Sequence, residues 1–214
     1  ESYPDQQVFG LDQLTGSTSA KNVLTVGSFS MDDNGSNKGA TEFSSAGPTN
    51  DFRIKPEVCG PGENLGIASR SGNNPTATDL YRSSSGTSFA SPAVAAGVAL
   101  LQQLHKRIFD TYMNGASIKA LLCHTADDIT EWNGNDITGP DVKTGYGAIS
   151  LEKAAMLIEK DEKETLTIHN FELDQGETET IYFQTTAVGE LLTATVSWYD
   201  PPAAFYATNS LIND

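Results

Sequence analysis

The sequence predicts an α/β fold: a partial parallel sheet with flanking helices, followed by an antiparallel β region. Three observations predict it. Asn22–Phe29 (NVLTVGSF) is a short apolar, β-branched run of the kind buried in parallel sheets, and a shorter strand is expected around Glu57–Cys59. Gly86–Leu104 (GTSFASPAVAAGVALLQQL) is small or apolar on every side until Gln102, the pattern of a central, buried helix. From about residue 161 the chain turns β-rich, which marks a second kind of layer.

Composition narrows the function classes. The 214 residues are 38% hydrophobic and 19% charged, which suits one or two globular domains and excludes a wholly disordered chain. No apolar stretch approaches the roughly 20 residues of a membrane span. The net charge of −15 repels phosphate backbones, so nucleic acid is not an expected partner. Two cysteines exclude a disulfide scaffold and a Cys-rich zinc module, and Cys59 and Cys123 read as buried free thiols. The first residues (ESYPDQQVFG) are polar and carry no secretion signal, which is uninformative for a processed or truncated chain.

Along the chain, residues 1–20 read as polar loop. Met31–Ala40 is turn chemistry. It holds Asp32, Asp33 and Asn34 beside Gly35, but not in the ligand order of an EF-hand, so a surface turn accounts for it. A structural calcium ion stays open for the chain with no place assigned. Phe43–Pro48 is a turn, and the strand near Glu57 is stopped by Gly60-Pro61-Gly62. Residues 69–79 are loop, and Leu80–Ser85 is a short extended run into the central helix. Ser117–Asp127 is a second helix with Ile118, Leu121, Leu122 and Ala126 apolar, and Thr130–Gly147 is a polar loop. Ser150–Lys160 is a third helix capped by Ser150. Thr165–Ile168, Thr178–Gln184 and Leu191–Tyr199 are the β-rich segments. Residues 151–214 carry −9 of the −15 net charge, a solvated acidic face. The expected domains are residues 1–160 and 161–214.

Gly86-Thr87-Ser88 stands where the extended run ends and the helix begins. Gly86, lacking a Cβ, permits a sharp turn from which the Ser88 hydroxyl projects. The Ser88 N–H is among the unpaired donors of the first helical turn, where the helix dipole favours an oxyanion. Pro92 falls in the first turn, where its missing N–H breaks no intrahelical bond. A serine at a helix start is also a common cap.

The GTSFASP segment followed by an Ala/Val/Gly helix resembles the nucleophile segment of the subtilisin-like serine proteases, or subtilases. Other segments resemble the family in its order: Lys21–Gly27 (KNVLTVG), Phe43–Thr49 with Arg53–Gly62 (FSSAGPT…RIKPEVCGPG), Ile118–Asp127 (IKALLCHTAD) and Gly145–Ala155 (GYGAISLEKAA). Trp198–Pro202 with Leu211–Asp214 (WYDPP…LIND) is similar to the β-sandwich that follows the protease domain in some larger subtilases. The resemblance implies a partial subtilisin-like sheet, then the start of a jelly-roll-like domain. It implies Ser88 as nucleophile, with Ser83, Ser84, Ser85, Gly86 and Thr87 on the substrate side and Ser83–Ser85 forming one wall of the primary specificity pocket. No metal ligand is assigned. A peptide or protein substrate and an extracellular or cell-surface location are family-level expectations. Departures are Ala93 where the family often has His, Cys59 for a common Ala, and Ala96 where Gly is usual, with Gly97 one residue later. A methyl on Ala96 at a close helix contact is expected to cost about 1–3 kcal/mol.

A serine needs a base within hydrogen-bond reach and an acid to orient that base. In the subtilases the chain order is Asp, His, Ser, yet His105, His124 and His169 all follow Ser88 here. An Asn oxyanion donor before the first strand is not recognisable either. The sequence therefore reads as the C-terminal half of a protease domain plus the start of the next, inactive alone and expected to pair with a missing N-terminal half or with itself. The rival reading is a non-catalytic interaction module derived from a subtilase, with Ser88 vestigial. An unrelated serine hydrolase is excluded by the lack of a Gly-x-Ser-x-Gly elbow.

Overall fold

In the computed structural model, residues 13–32, 38–69, 80–130, 138–163, 167–174, 176–182, 189, 192–204 and 211–212 are described. Strand β1 (Val26–Met31) lies between β2 (Lys38–Ala40) and β3 (Val58–Pro61). The β1–β3 pair is parallel, with Val26 opposite Val58 and Phe29 opposite Pro61. The β1–β2 pair is antiparallel. Beyond β3, the Cys59 N–H donates to the Gly147 carbonyl at 2.8 Å and the Ile149 N–H donates back to Cys59 at 3.0 Å, so residues 147–149 cover that edge.

The first strand begins later than the apolar run suggests. Residues just before it make other bonds: the Thr25 N–H donates to Glu57 Oε2 at 2.7 Å, and the Asn22 side chain turns to Asp200. Part of the Met31–Ala40 turn is strand β2, and residues 33–37, including Asp33, Asn34 and Gly35, lie outside the described residues. A hairpin of β4 (Leu65–Ala68) and β5 (Tyr81–Ser84) was not legible as two strands; only its second half appears as an extended run.

Helix α1 (Thr87–Phe109) continues five residues beyond the expected end and stops at Asp110, which is left-handed at φ 57°. Helix α2 (Gly115–Thr125) is capped by Asn114, whose side chain accepts the Ser117 N–H at 2.7 Å. In α3 (Leu151–Lys163) the expected cap is present, with the Lys153 N–H donating to Ser150 Oγ at 3.4 Å. Val94 and Leu101 of α1, Leu121 and Leu122 of α2, and Ala154 and Ile158 of α3 form one core with Val58 of β3.

The expectation that α1 is buried on all sides is corrected. Its buried stripe is Ala90, Val94, Gly97, Leu101 and His105, one face at helical spacing. Pro92, Ala95, Ala96, Ala99 and Leu100 face outward, and Leu100 is 63% exposed. The sheet and α3 cover one side of α1; no other described element covers the opposite side. The expected cost at Ala96 is corrected too: its methyl is exposed, while the close contact falls at Gly97, where a Cβ would lie 2.7 Å from Leu151 Cδ2.

Lys55, 1% exposed, donates to the Val23 carbonyl at 2.6 Å and pairs with Glu57, which also takes Lys119 of α2. This buried knot ties the approach to β1 to α2. Beyond Lys163 the described residues contain no strand, so the antiparallel pairing expected there is not formed among them. Tyr182 (86%) and Val196 (74%) are largely exposed, and among the described residues no apolar layer covers them. The segment is anchored instead through Asp200, whose backbone N–H and carbonyl pair with the Asn22 side chain at 3.0 and 2.9 Å and whose carboxylate pairs with Lys21. None of the helices among the described residues is long and apolar enough to cross a membrane.

Candidate active site

Ser88 is the second residue of α1 and is exposed. Gly86 caps the helix with φ 156° and ψ 151°, a conformation that disfavours any residue with a Cβ. Its carbonyl accepts the Phe89 and Ala90 N–H groups at 3.0 and 3.4 Å, starting the helix there. The cap residue is thus Gly86, and no side chain caps the N-terminus. Ser88 does not serve as the cap. Its N–H is left among the free donors of the first turn, beside its exposed hydroxyl. A developing negative charge on a carbonyl oxygen placed there would meet that N–H and the positive end of a 23-residue helix.

The turn is held from below. The Gly86 N–H donates to the Gly62 carbonyl at 2.7 Å, and the Gly62 N–H donates to Phe29 of β1 at 3.1 Å. Ser83 and Ser84 lie on β5, Ser83 exposed and Ser84 half-buried, and Thr87 and Gly86 are half-buried beside Ser88. Ser85 is exposed, and its hydroxyl accepts the Asn64 N–H at 2.9 Å. These five residues precede Ser88 directly in the chain.

No imidazole reaches Ser88. His105 lies 17 residues along the same helix, roughly 25 Å at the helical rise. Its ring is buried at the far end, with Nδ1 2.7 Å from the Thr111 carbonyl and Phe109 4.7 Å from its centroid. His124 Nδ1 contacts Thr195 Oγ1 at 3.0 Å, and His169 packs on Phe171. Neither thiol can substitute as nucleophile: both cysteines are free and buried, and burial pushes Cys59 and Cys123 up to about 12. Among the described residues no group of three His, Cys, Asp or Glu side chains could hold a metal ion.

Residues 9–148 match the subtilase family. The chain belongs to that family. It is 30% identical over 132 residues to the PII-type proteinase of Lactococcus lactis subsp. cremoris, covering 56% of this chain and 6% of that protein. It is 29% identical over 145 residues to the serine protease/ABC transporter B family protein tagB of Dictyostelium discoideum, covering 51% of this chain and 7% of that one. Among solved structures, the CspB protease of Clostridium perfringens superposes with a TM-score of 0.53 at 26% identity, over 70% of this chain and 29% of that chain. The patellamide maturation protease PatA gives 0.50 at 25% identity, over 71% and 48%. This subtilase chain thus spans a small part of its sequence relatives and less than half of these two structures.

Proposed function

We propose that this subtilase chain supplies the nucleophile of a serine endopeptidase, and that the general base, its orienting acid and an Asn oxyanion donor come from sequence outside it. The observation that carries this reading is Ser88 itself: an exposed hydroxyl on the first turn of α1, its N–H free, above a turn that Gly86 alone can make. Ser88 Oγ attacks the peptide carbonyl carbon while the base takes its proton. The Ser88 N–H and the Asn donor bind the oxyanion; one such donor is worth about 3 kcal/mol. The C–N bond then breaks, the base gives its proton to the departing amine, and water releases the acid from the acyl-enzyme. Ser83, Ser84 and Ser85 form one wall of the substrate site, and Gly86 and Thr87 also bind substrate. A peptide or protein is the substrate, and the protein works outside the cell or at its surface. Structural calcium stays open, with no assigned ligands.

The absence of an imidazole partner for Ser88 supports inactivity of the chain alone. A fluorophosphonate probe labels the longer protein in a Ser88-dependent way and leaves the isolated chain unlabelled. Rapid stoichiometric labelling of Ser88 in the isolated chain would refute the division of the site. Loss of no activity in the longer protein on Ser88→Ala would sink the nucleophile assignment and favour an interaction module.

A further inference from the structure

We propose that Ser28 of β1 is a positioning residue for the Ser88 turn, acting through Gly62. This rests on the reading of Ser88 as nucleophile. The Ser28 backbone is fully engaged: its N–H donates to Ser44 Oγ at 3.0 Å, and its carbonyl accepts the Thr41 N–H at 3.0 Å. Its side chain is 0% exposed, and Oγ is the buried side-chain polar atom that lacks a hydrogen-bond partner among the described residues. A buried hydroxyl without a partner lowers stability, and an alanine of nearly the same shape would remove that cost. Stability therefore does not explain a serine at this position.

Its surroundings do. A Cβ added to Gly62 would collide with Ser28 Oγ and would lie 2.9 Å from the Gly86 carbonyl oxygen. The Ser28 hydroxyl thus fills the room that Gly62 leaves by lacking a side chain, and the Gly86 carbonyl borders the same space. Gly62 is also the link between sheet and turn. Its N–H is bonded to Phe29, the residue after Ser28, and its carbonyl receives the Gly86 N–H. Pressure on Gly62 passes directly to Gly86, two residues before Ser88. The hydroxyl acts as a wedge that sets the height of Gly62, and with it the height of the nucleophile above the sheet. A nucleophile displaced by about 1 Å loses up to a hundredfold in rate, so a one-atom wedge is enough to matter.

The test separates positioning from bulk stability. In Ser28→Ala of this chain, amide exchange of Gly86, followed by NMR, accelerates about tenfold, while the melting temperature holds or rises because the orphan hydroxyl is gone. Ser28→Cys, which restores the missing volume, returns Gly86 exchange toward the wild-type rate. In the longer protein, Ser28→Ala lowers kcat about tenfold at unchanged KM, the signature of a lost transition-state alignment. Unchanged Gly86 exchange in Ser28→Ala overturns the wedge, as does a melting temperature that falls in step with a general rise in exchange across α1. Should Ser88→Ala leave the longer protein active, the nucleophile reading fails on its own account, and the exchange experiment still decides whether Ser28 supports this turn.

Discussion

Glu57→Gln probes the buried knot between the approach to β1 and α2. Glu57 is 4% exposed, and its carboxylate serves Lys55, Lys119 and the Thr25 N–H together. Glutamine keeps the shape and one carbonyl oxygen but removes the charge. Lys119 can swing outward, since 23% of its side chain is accessible; Lys55, at 1%, cannot. The variant therefore strands one ammonium in the interior. Breaking a buried pair from one side costs about 3–5 kcal/mol, a large share of the roughly 5–15 kcal/mol that holds a domain folded. Urea unfolding followed by circular dichroism at pH 7 measures it. The loss also has a pH signature. Burial already lowers the Lys55 ammonium from 10.5 to about 8 even with Glu57 present. The folded state therefore releases this proton before the unfolded state does. Where the unfolded state binds more protons, stability rises with pH. Stability withheld below about pH 8 returns as the pH climbs toward 10.5, and losing Glu57 lowers the Lys55 value further. The penalty of Glu57→Gln is thus largest near neutrality and shrinks in alkali, and adding Lys55→Met recovers at least half of it. A cost under about 1 kcal/mol at pH 7, or no recovery with Lys55→Met, would refute the stranded-charge argument.

Asn114→Ala removes the acceptor for the Ser117 N–H and hydroxyl, and costs about 1 kcal/mol in urea unfolding without altering the slope. The isolated chain self-associates through the outward face of α1, and Leu100→Glu shifts it toward monomer in light scattering without lowering the melting temperature; a wild-type chain that is already a clean monomer contradicts this.

The elements most legible in the sequence were those whose residues carry a local reason for their shape. Helices α2 and α3 announce themselves by apolar spacing and by Ser150 as a cap. The start of α1 is written in Gly86, since backbone freedom acts within one turn; Pro92, expected in the first turn, is the sixth residue of the helix and lies inside it. The apolar run places the start of β1 four residues early, because Asn22 and Thr25 are apolar-run neighbours whose bonds go to Asp200 and Glu57, partners far along the chain. The β4–β5 hairpin is not legible in the sequence because Leu65–Ala68 has no polar–apolar alternation to mark it. Of the site, the placement of Ser88 at the start of a helix is legible locally; the proximity of Ser28 and Gly62 is not, because it exists only once β1 and β3 lie side by side.

By itself, then, the sequence determined that a serine stands at the head of a helix without an imidazole ahead of it, and that the chain resembles a subtilase. Only the tertiary arrangement shows which face of α1 is covered, that Gly97 rather than Ala96 meets Leu151, and that the buried Ser28 hydroxyl of β1 occupies the space beside Gly62. The division has one physical cause. Caps, turns and periodicity are set by interactions within a few residues. Burial and contact depend on elements brought together across the chain, and a helix apolar all round does not record which of its faces the fold will cover.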